Sequence, residues 1–234
     1  MIIGGIQKSS LIDYPEKISC VVFLAGCNFT CPYCHNPDLV RWKSSNKPPF
    51  DENKICAFLE SRKGFLDGVV ISGGEPTLND DLPLFLERIQ KLGYSIKLDT
   101  NGTRPPMVER LIHNGLIDYI AMDIKANPLA YPQYIAMNHN PASILTSIKI
   151  IRDSELPHEF RTTCVKPMVN ERSIRSISRT IAGAPLYALQ RFRDDNGVLN
   201  PRFFDRMGAG HDRDELVRLQ TIASPWVKKC IVRS

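Results

Sequence analysis

Three cysteines crowd one short stretch, Cys27-Asn28-Phe29-Thr30-Cys31-Pro32-Tyr33-Cys34, directly after an apolar run, Cys20–Ala25. Thiolates are the usual protein ligands of iron–sulfur clusters, and a 4Fe–4S cluster normally takes four of them. Three thiolates on one loop can hold three irons and leave the fourth open to a non-protein ligand. An open coordination position marks a reactive metal centre rather than a structural one.

Two other readings of these thiols stay open. A zinc knuckle needs a fourth ligand nearby, and His35 is poorly placed because adjacent residues on one turn rarely face one metal. Cys31-Pro32-Tyr33-Cys34 also spells a glutaredoxin-type dithiol site behind an apolar strand. Cys27 has no role in that chemistry, and the chain is far longer than one thioredoxin-like domain.

Apolar and helical segments alternate along the chain. Strands are expected at Cys20–Ala25, Gly68–Ser72, Ser95–Leu98, Tyr119–Ile124, His158–Val165 and Leu186–Phe192. Helices are expected at Asp51–Arg62, Asp80–Leu92, Pro105–Asn114, Ala142–Arg152, Glu171–Ile181 and Asp212–Ala223, with Asp51 as an N-cap and Gly93 and Gly115 as stops. Arg193–His211 reads as a loop. Six β/α units with strands apolar nearly throughout predict an α/β fold: a parallel sheet buried on both faces. Six units are too few for a closed eight-stranded barrel, so the sheet is expected to be a partial (β/α)6 TIM-like barrel, open on one side. Residues 1–192 are expected to form that domain, and residues 193–234 to pack on it or cap it.

Sites in such folds lie at the C-terminal ends of strands, and the polar motifs fall there. Gly73-Gly74-Glu75-Pro76 follows the second strand, Asp99-Thr100-Asn101-Gly102 the third, and Asp123-Ile124-Lys125 closes the fourth; Arg161 lies in the fifth. The glycine pair removes side chains where backbone must approach something closely, or simply makes a tight turn. The aspartate–glycine segment is equally an Asx-type turn. Asp123 and Lys125 also read as a surface ion pair, and Arg161 as a surface arginine at a strand edge.

Taken together, these segments resemble the radical S-adenosylmethionine (radical SAM) enzymes. Gly4-Gly5-Ile6-Gln7-Lys8-Ser9-Ser10-Leu11-Ile12-Asp13-Tyr14-Pro15 leads into the cysteine loop, and Cys34-His35-Asn36-Pro37-Asp38-Leu39-Val40 leaves it. This opening is similar to the family of anaerobic ribonucleoside-triphosphate reductase activating proteins, a branch of the glycyl radical enzyme activases. The resemblance covers about the first 170 residues well and weakens after the sixth strand.

The resemblance implies a 4Fe–4S cluster on Cys27, Cys31 and Cys34. It implies SAM held by Tyr33, Gly73, Gly74, Glu75, Asp99, Asn101, Lys125 and Arg161. In this reading the Glu75 carboxylate meets the SAM amino group, Asp99 and Lys125 hold its aminoacid end, Arg161 forks onto its carboxylate or ribose, and the backbone near Tyr33 meets the adenine. A monovalent cation is implied on Asp99, Thr100 and Asp123. No separate protein acid or base is expected. Some activases carry a histidine near the end of the sixth strand, where Phe192 falls here. Gln190 and Arg191 are the polar groups close by, and none of these three is assigned a role. The implied partners are a glycyl radical enzyme and an electron donor such as flavodoxin or ferredoxin. A radical SAM enzyme acting on a small molecule, similar to 7-carboxy-7-deazaguanine synthase, is the alternative.

Composition narrows the rest. Thirty basic against twenty-five acidic residues give a net charge of +5, too mild to argue for nucleic acid. No apolar run approaches a membrane span, and the first residues do not read as a signal peptide. Seven cysteines, an odd number, fit a reducing cytoplasm better than a disulfide framework.

Overall fold

Each segment expected as a strand forms one, and two further strands extend the sheet. The computed structural model describes residues 1–42, 50–136, 140–193, 197–205 and 210–233. The strands are β1 Ile3–Ser10, β2 Ser19–Leu24, β3 Gly68–Gly73, β4 Ser95–Thr100, β5 Tyr119–Asp123, β6 His158–Cys164, β7 Tyr187–Arg191 and β8 Cys230–Arg233. They lie side by side in chain order. β1 is antiparallel to β2, and every later neighbour is parallel. The sheet does not close; β1 and β8 are its edges.

The helices are α1 Pro37–Val40, α2 Glu52–Glu60, α3 Leu82–Lys91, α4 Pro105–His113, α5 Pro141–Asp153, α6 Glu171–Thr180 and α7 Arg213–Ala223. Asp51 caps α2 by accepting from the Asn53 N–H at 2.7 Å. Gly93 and Gly115 stop α3 and α4 at positive φ. The expected loop Arg193–His211 is described at 193, 197–205 and 210–211, where Pro201–Phe204 forms a 3-10 turn.

The sheet has two unlike faces because strand side chains alternate. Val22, Leu24, Ile71, Leu98, Met122, Phe160 and Leu189 join the main core with the helices. Tyr14, Val21 and Val70, with Phe23 and Tyr119, form a second apolar cluster within the curl of the sheet. Register continues that inner face into charge. Val70 pairs with Lys97, Lys97 with Tyr119, Ala121 with Glu159, and Asp123 with Arg161. Glu159, 1% exposed, takes a two-pronged bond from Arg233, which ties β8 to β6 across β7.

Candidate active site

The cysteine loop, residues 25–36, is clamped by backbone bonds from several segments. The Gly26 N–H donates to the Leu39 carbonyl and the Thr30 N–H to that of Ile135. Leu199 and Asn200 donate to the carbonyls of Cys34 and Pro32, each at 3.0 Å. Phe204 stacks on Phe192 and Phe203 meets Tyr134, so residues 197–205 form a strap over the loop. Cys27, Cys31 and Cys34 are free thiols and line one cavity with Tyr33, Ser72, Gly73, Gly74, Glu75, Asp99, Asn101, Asp123 and Lys125.

The glycine pair is required by this clamp. The Gly74 N–H donates to the Leu24 carbonyl and the Glu75 N–H to that of Gly26, both at 2.8 Å. A Cβ on Gly74 would lie 2.0 Å from the Gly26 oxygen, and one on Gly73, at φ +114°, 2.4 Å from the Leu24 oxygen. What the glycines approach closely is therefore the backbone of the cysteine loop and the strand before it. We expect Gly74→Ala to cost roughly 1–3 kcal/mol, the range for forced overpacking, and to lower iron loading. Urea melts and iron analysis check this; a variant with unchanged stability and loading would show that the two loops do not need this contact.

Glu75 is fully buried. One carboxylate oxygen accepts from the Thr77 N–H, the Thr77 hydroxyl and the Thr100 hydroxyl; the other accepts from the Asn101 N–H at 2.6 Å. Burial raises its pKa above the ordinary carboxylate range, against the pull of those bonds. Asn101 itself ties two loops together. Its amide donates to Asn28 and its oxygen accepts from the Thr103 N–H and hydroxyl.

Deeper in the curl lies a buried ion network. Asp99 meets Lys97 Nζ at 2.5 Å, the Ser72 hydroxyl at 3.1 Å and Arg161 Nη2 at 3.3 Å. Asp123 takes Arg161 Nε at 2.9 Å and Lys125 Nζ at 3.1 Å. Arg161 reaches across from β6 to β4 over the small side chain of Ala121, which pairs with Asp99. Burial pushes both aspartates up, but the adjoining cations, Arg161 foremost, hold them below the usual carboxylate range. Burial opposes charge on Lys125 and Arg161, but their anionic neighbours, Asp123 foremost, together outweigh it and raise both. Arg161 and the Asp123–Lys125 pair are thus parts of an internal network rather than surface features. Two carboxylates face three cations, so the network alone carries a surplus positive charge. With Glu75 on the same cavity, the site offers a carboxylate to an ammonium and a positive group to a carboxylate.

The residues fit a cluster better than zinc or dithiol chemistry. His35 is engaged elsewhere, its Nε2 2.5 Å from the Arg193 carbonyl and its ring stacked on Phe192. Burial pushes the Cys27 thiol up to about 12 and the Cys31 thiol up to about 11. A dithiol nucleophile needs the opposite shift. Three soft sulfur donors on one loop suit iron–sulfur ligation.

Sequence reasoning passed over Lys97, Ser72 and Thr77, and it expected residues 193–234 to pack on or cap the domain without naming the contacts that residues 197–205 make to the cysteine loop. A lysine between Ile96 and Leu98, two residues before Asp99 in a short buried strand, was the available signal for the first. The others are contacts between segments distant in sequence.

Comparison with known proteins follows from this geometry. The Radical SAM superfamily model matches residues 21–181, the class that an open parallel barrel with a three-cysteine loop defines. A protein of Methanocaldococcus jannaschii, under the provisional name glycyl-radical enzyme activating enzyme, is 34% identical over 100% of this chain and 96% of its own length. The pyruvate formate-lyase-activating enzyme of Listeria monocytogenes is 31% identical over 66% of this chain and 65% of its own. Among solved structures, Streptococcus suis SuiB superposes with a TM-score of 0.69 at 14% identity over 92% of this chain, which spans 48% of SuiB. The chain belongs to the radical SAM superfamily, in its glycyl-radical-enzyme activating branch. Its cofactors are accordingly a 4Fe–4S cluster and SAM. Among the described residues, no helix is long and apolar enough to cross a membrane.

Proposed function

We propose that Cys27, Cys31 and Cys34 hold the cluster and that the chain installs a glycyl radical on anaerobic ribonucleoside-triphosphate reductase, with flavodoxin or ferredoxin as electron donor, in the cytoplasm. The observation that carries this reading is the shared cavity: three free thiols, a buried carboxylate and a net-positive ion network converge on it. A cluster held on Cys27, Cys31 and Cys34 would supply the electron for reductive cleavage of SAM, the chemistry by which hydrogen abstraction from a partner glycine would be started.

The chain's own residues bind and orient. Glu75 suits the SAM ammonium, and its four hydrogen bonds fix the carboxylate before ligand arrives. Lys125 and Arg161 suit the SAM carboxylate, because with Lys97 the network has three cations against Asp99 and Asp123. Gly73, Gly74 and Asn101 hold the loops around the aminoacid group, and Tyr33 sets the loop turn on the adenine side. The strap and the aromatic residues under it keep water from the cysteine loop. A partner loop enters through the open side of the sheet.

The test is anaerobic reconstitution with iron and sulfide, then reduction with dithionite in the presence of SAM and the candidate reductase. Expected are 5′-deoxyadenosine release, absent in Cys27→Ala, and a glycyl radical doublet in the electron paramagnetic resonance spectrum. Cleavage with no radical on the reductase but one on a pyruvate formate-lyase-type partner would overturn the partner. Cleavage coupled only to a small molecule would favour the deazaguanine-type reading.

A further inference from the structure

Lys97 is a buried charge of the network to which the proposed function assigns no contact with the ligand. Its side chain is 1% exposed and leaves the inner face of β4 two residues before Asp99, with Nζ 2.5 Å from Asp99 Oδ1. The other oxygen of Asp99 is taken by the Ser72 hydroxyl and Arg161. Both oxygens of Asp123 are taken by Arg161 and Lys125. The Thr100 hydroxyl donates to Glu75 and accepts from the Gly102 N–H. A monovalent cation on Asp99, Thr100 and Asp123 therefore does not fit. It would sit among three protein cations in a medium that screens them poorly, with Lys97 on Asp99, Lys125 on Asp123 and Arg161 across both carboxylates.

We propose that Lys97 is the built-in counter-cation of this site, a positioning residue that makes an exchangeable sodium or potassium ion unnecessary. This rests on the reading of the cavity as the SAM site. Lys97 neutralises Asp99 from behind. That leaves Arg161 free to span both aspartates, and it leaves the surplus charge of the network facing the ligand carboxylate. An ordinary core lysine would be expected to keep its ammonium at the surface, with only its alkyl stem buried. Here the ammonium itself is enclosed, and a carboxylate on the cavity wall receives it.

The experiment compares potassium, sodium and tetramethylammonium, an ion too large for the site, at constant ionic strength. SAM affinity of the reconstituted protein is measured by equilibrium dialysis, and melting of the cluster-free protein is followed in the same salts. The wild type is expected to read the same in all three. Lys97→Ala is expected to lose about tenfold in affinity, the size of one charge-assisted contact, and to regain affinity and melting temperature with sodium or potassium but not with tetramethylammonium. Lys97→Arg, which keeps the charge, is expected to stay independent of the salt and covers the case in which the alanine variant does not fold. A wild type that needs sodium or potassium overturns the proposal. So does a Lys97→Ala protein that folds and is weakened equally in every salt, because the lysine is then only structural. Wild-type protein that binds no SAM in any salt sinks the SAM reading instead, and the melting comparison still decides the place of Lys97.

Discussion

Cys31→Ala abolishes the cluster and with it all reductive cleavage of SAM, while the barrel stays folded. Cys31 is the middle thiol of the three proposed as ligands and is buried in the main core. Two thiolates on the remaining loop cannot hold a cubane, because the third iron loses its protein donor. The thiol is small, and its loss costs about 1 kcal/mol, the centre of the range for point substitutions. The loop itself is kept in place by backbone bonds from Leu199, Asn200, Gly74 and Glu75, none of which involves a sulfur. Iron should therefore fall from about four per chain to background, with circular dichroism and the melting transition close to wild type. Full iron content in the variant would sink the ligand assignment. Loss of iron together with loss of fold would show that the loop depends on its sulfurs more than its hydrogen bonds indicate.

The parts of this molecule that were legible in the sequence are those whose chemistry is local. Thiol spacing survives as a string of letters, and so do a glycine pair after a strand and an aspartate–glycine turn. Six of the seven parallel strands, β2 to β7, were legible, most of them because burial on both faces leaves an apolar run. β1 was not, since Ile3-Gly4-Gly5-Ile6-Gln7-Lys8-Ser9-Ser10 lies at an edge, half exposed, and lacks such a run. β8 has only four residues and draws its stability from β7 and from the Arg233–Glu159 bond.

At the site, residue identities were readable and their partners were not. Gly74 announced a close approach, but nothing local said that it was to Gly26. Asp123 and Lys125 looked like a pair worth little, and became half of a buried network once β4 and β6 supplied Asp99, Lys97 and Arg161. The strap is the extreme case. Leu199 and Asn200 reach Cys34 and Pro32 from the far end of the chain, and no periodicity encodes that.

Arg161→Met destabilises the protein by about 1.5–3 kcal/mol near neutral pH, the cost of losing charge-assisted hydrogen bonds inside a buried network. The guanidinium is 12% exposed and bonds both Asp99 and Asp123, so its removal takes one partner from each and leaves Asp99 on Lys97 and Asp123 on Lys125. The sign of the pH dependence follows. Both aspartates are held below the ordinary carboxylate range in the folded protein, so their stabilisation is complete above the unfolded value of about 3.9 and is lost as pH falls through the folded values. The penalty of the variant should accordingly be largest near neutrality, begin to shrink below about pH 4, where the unfolded aspartates take up protons, and disappear as the pH falls through the lower folded values. Urea melts at both ends of that range measure it, and an equal penalty at both would show that Arg161 acts through packing alone. Arg161→Lys keeps the charge but cannot fork to two carboxylates, so it should fall between wild type and Arg161→Met. The same ordering should appear in SAM affinity, because without Arg161 the network has two cations against two carboxylates and no surplus left for the ligand.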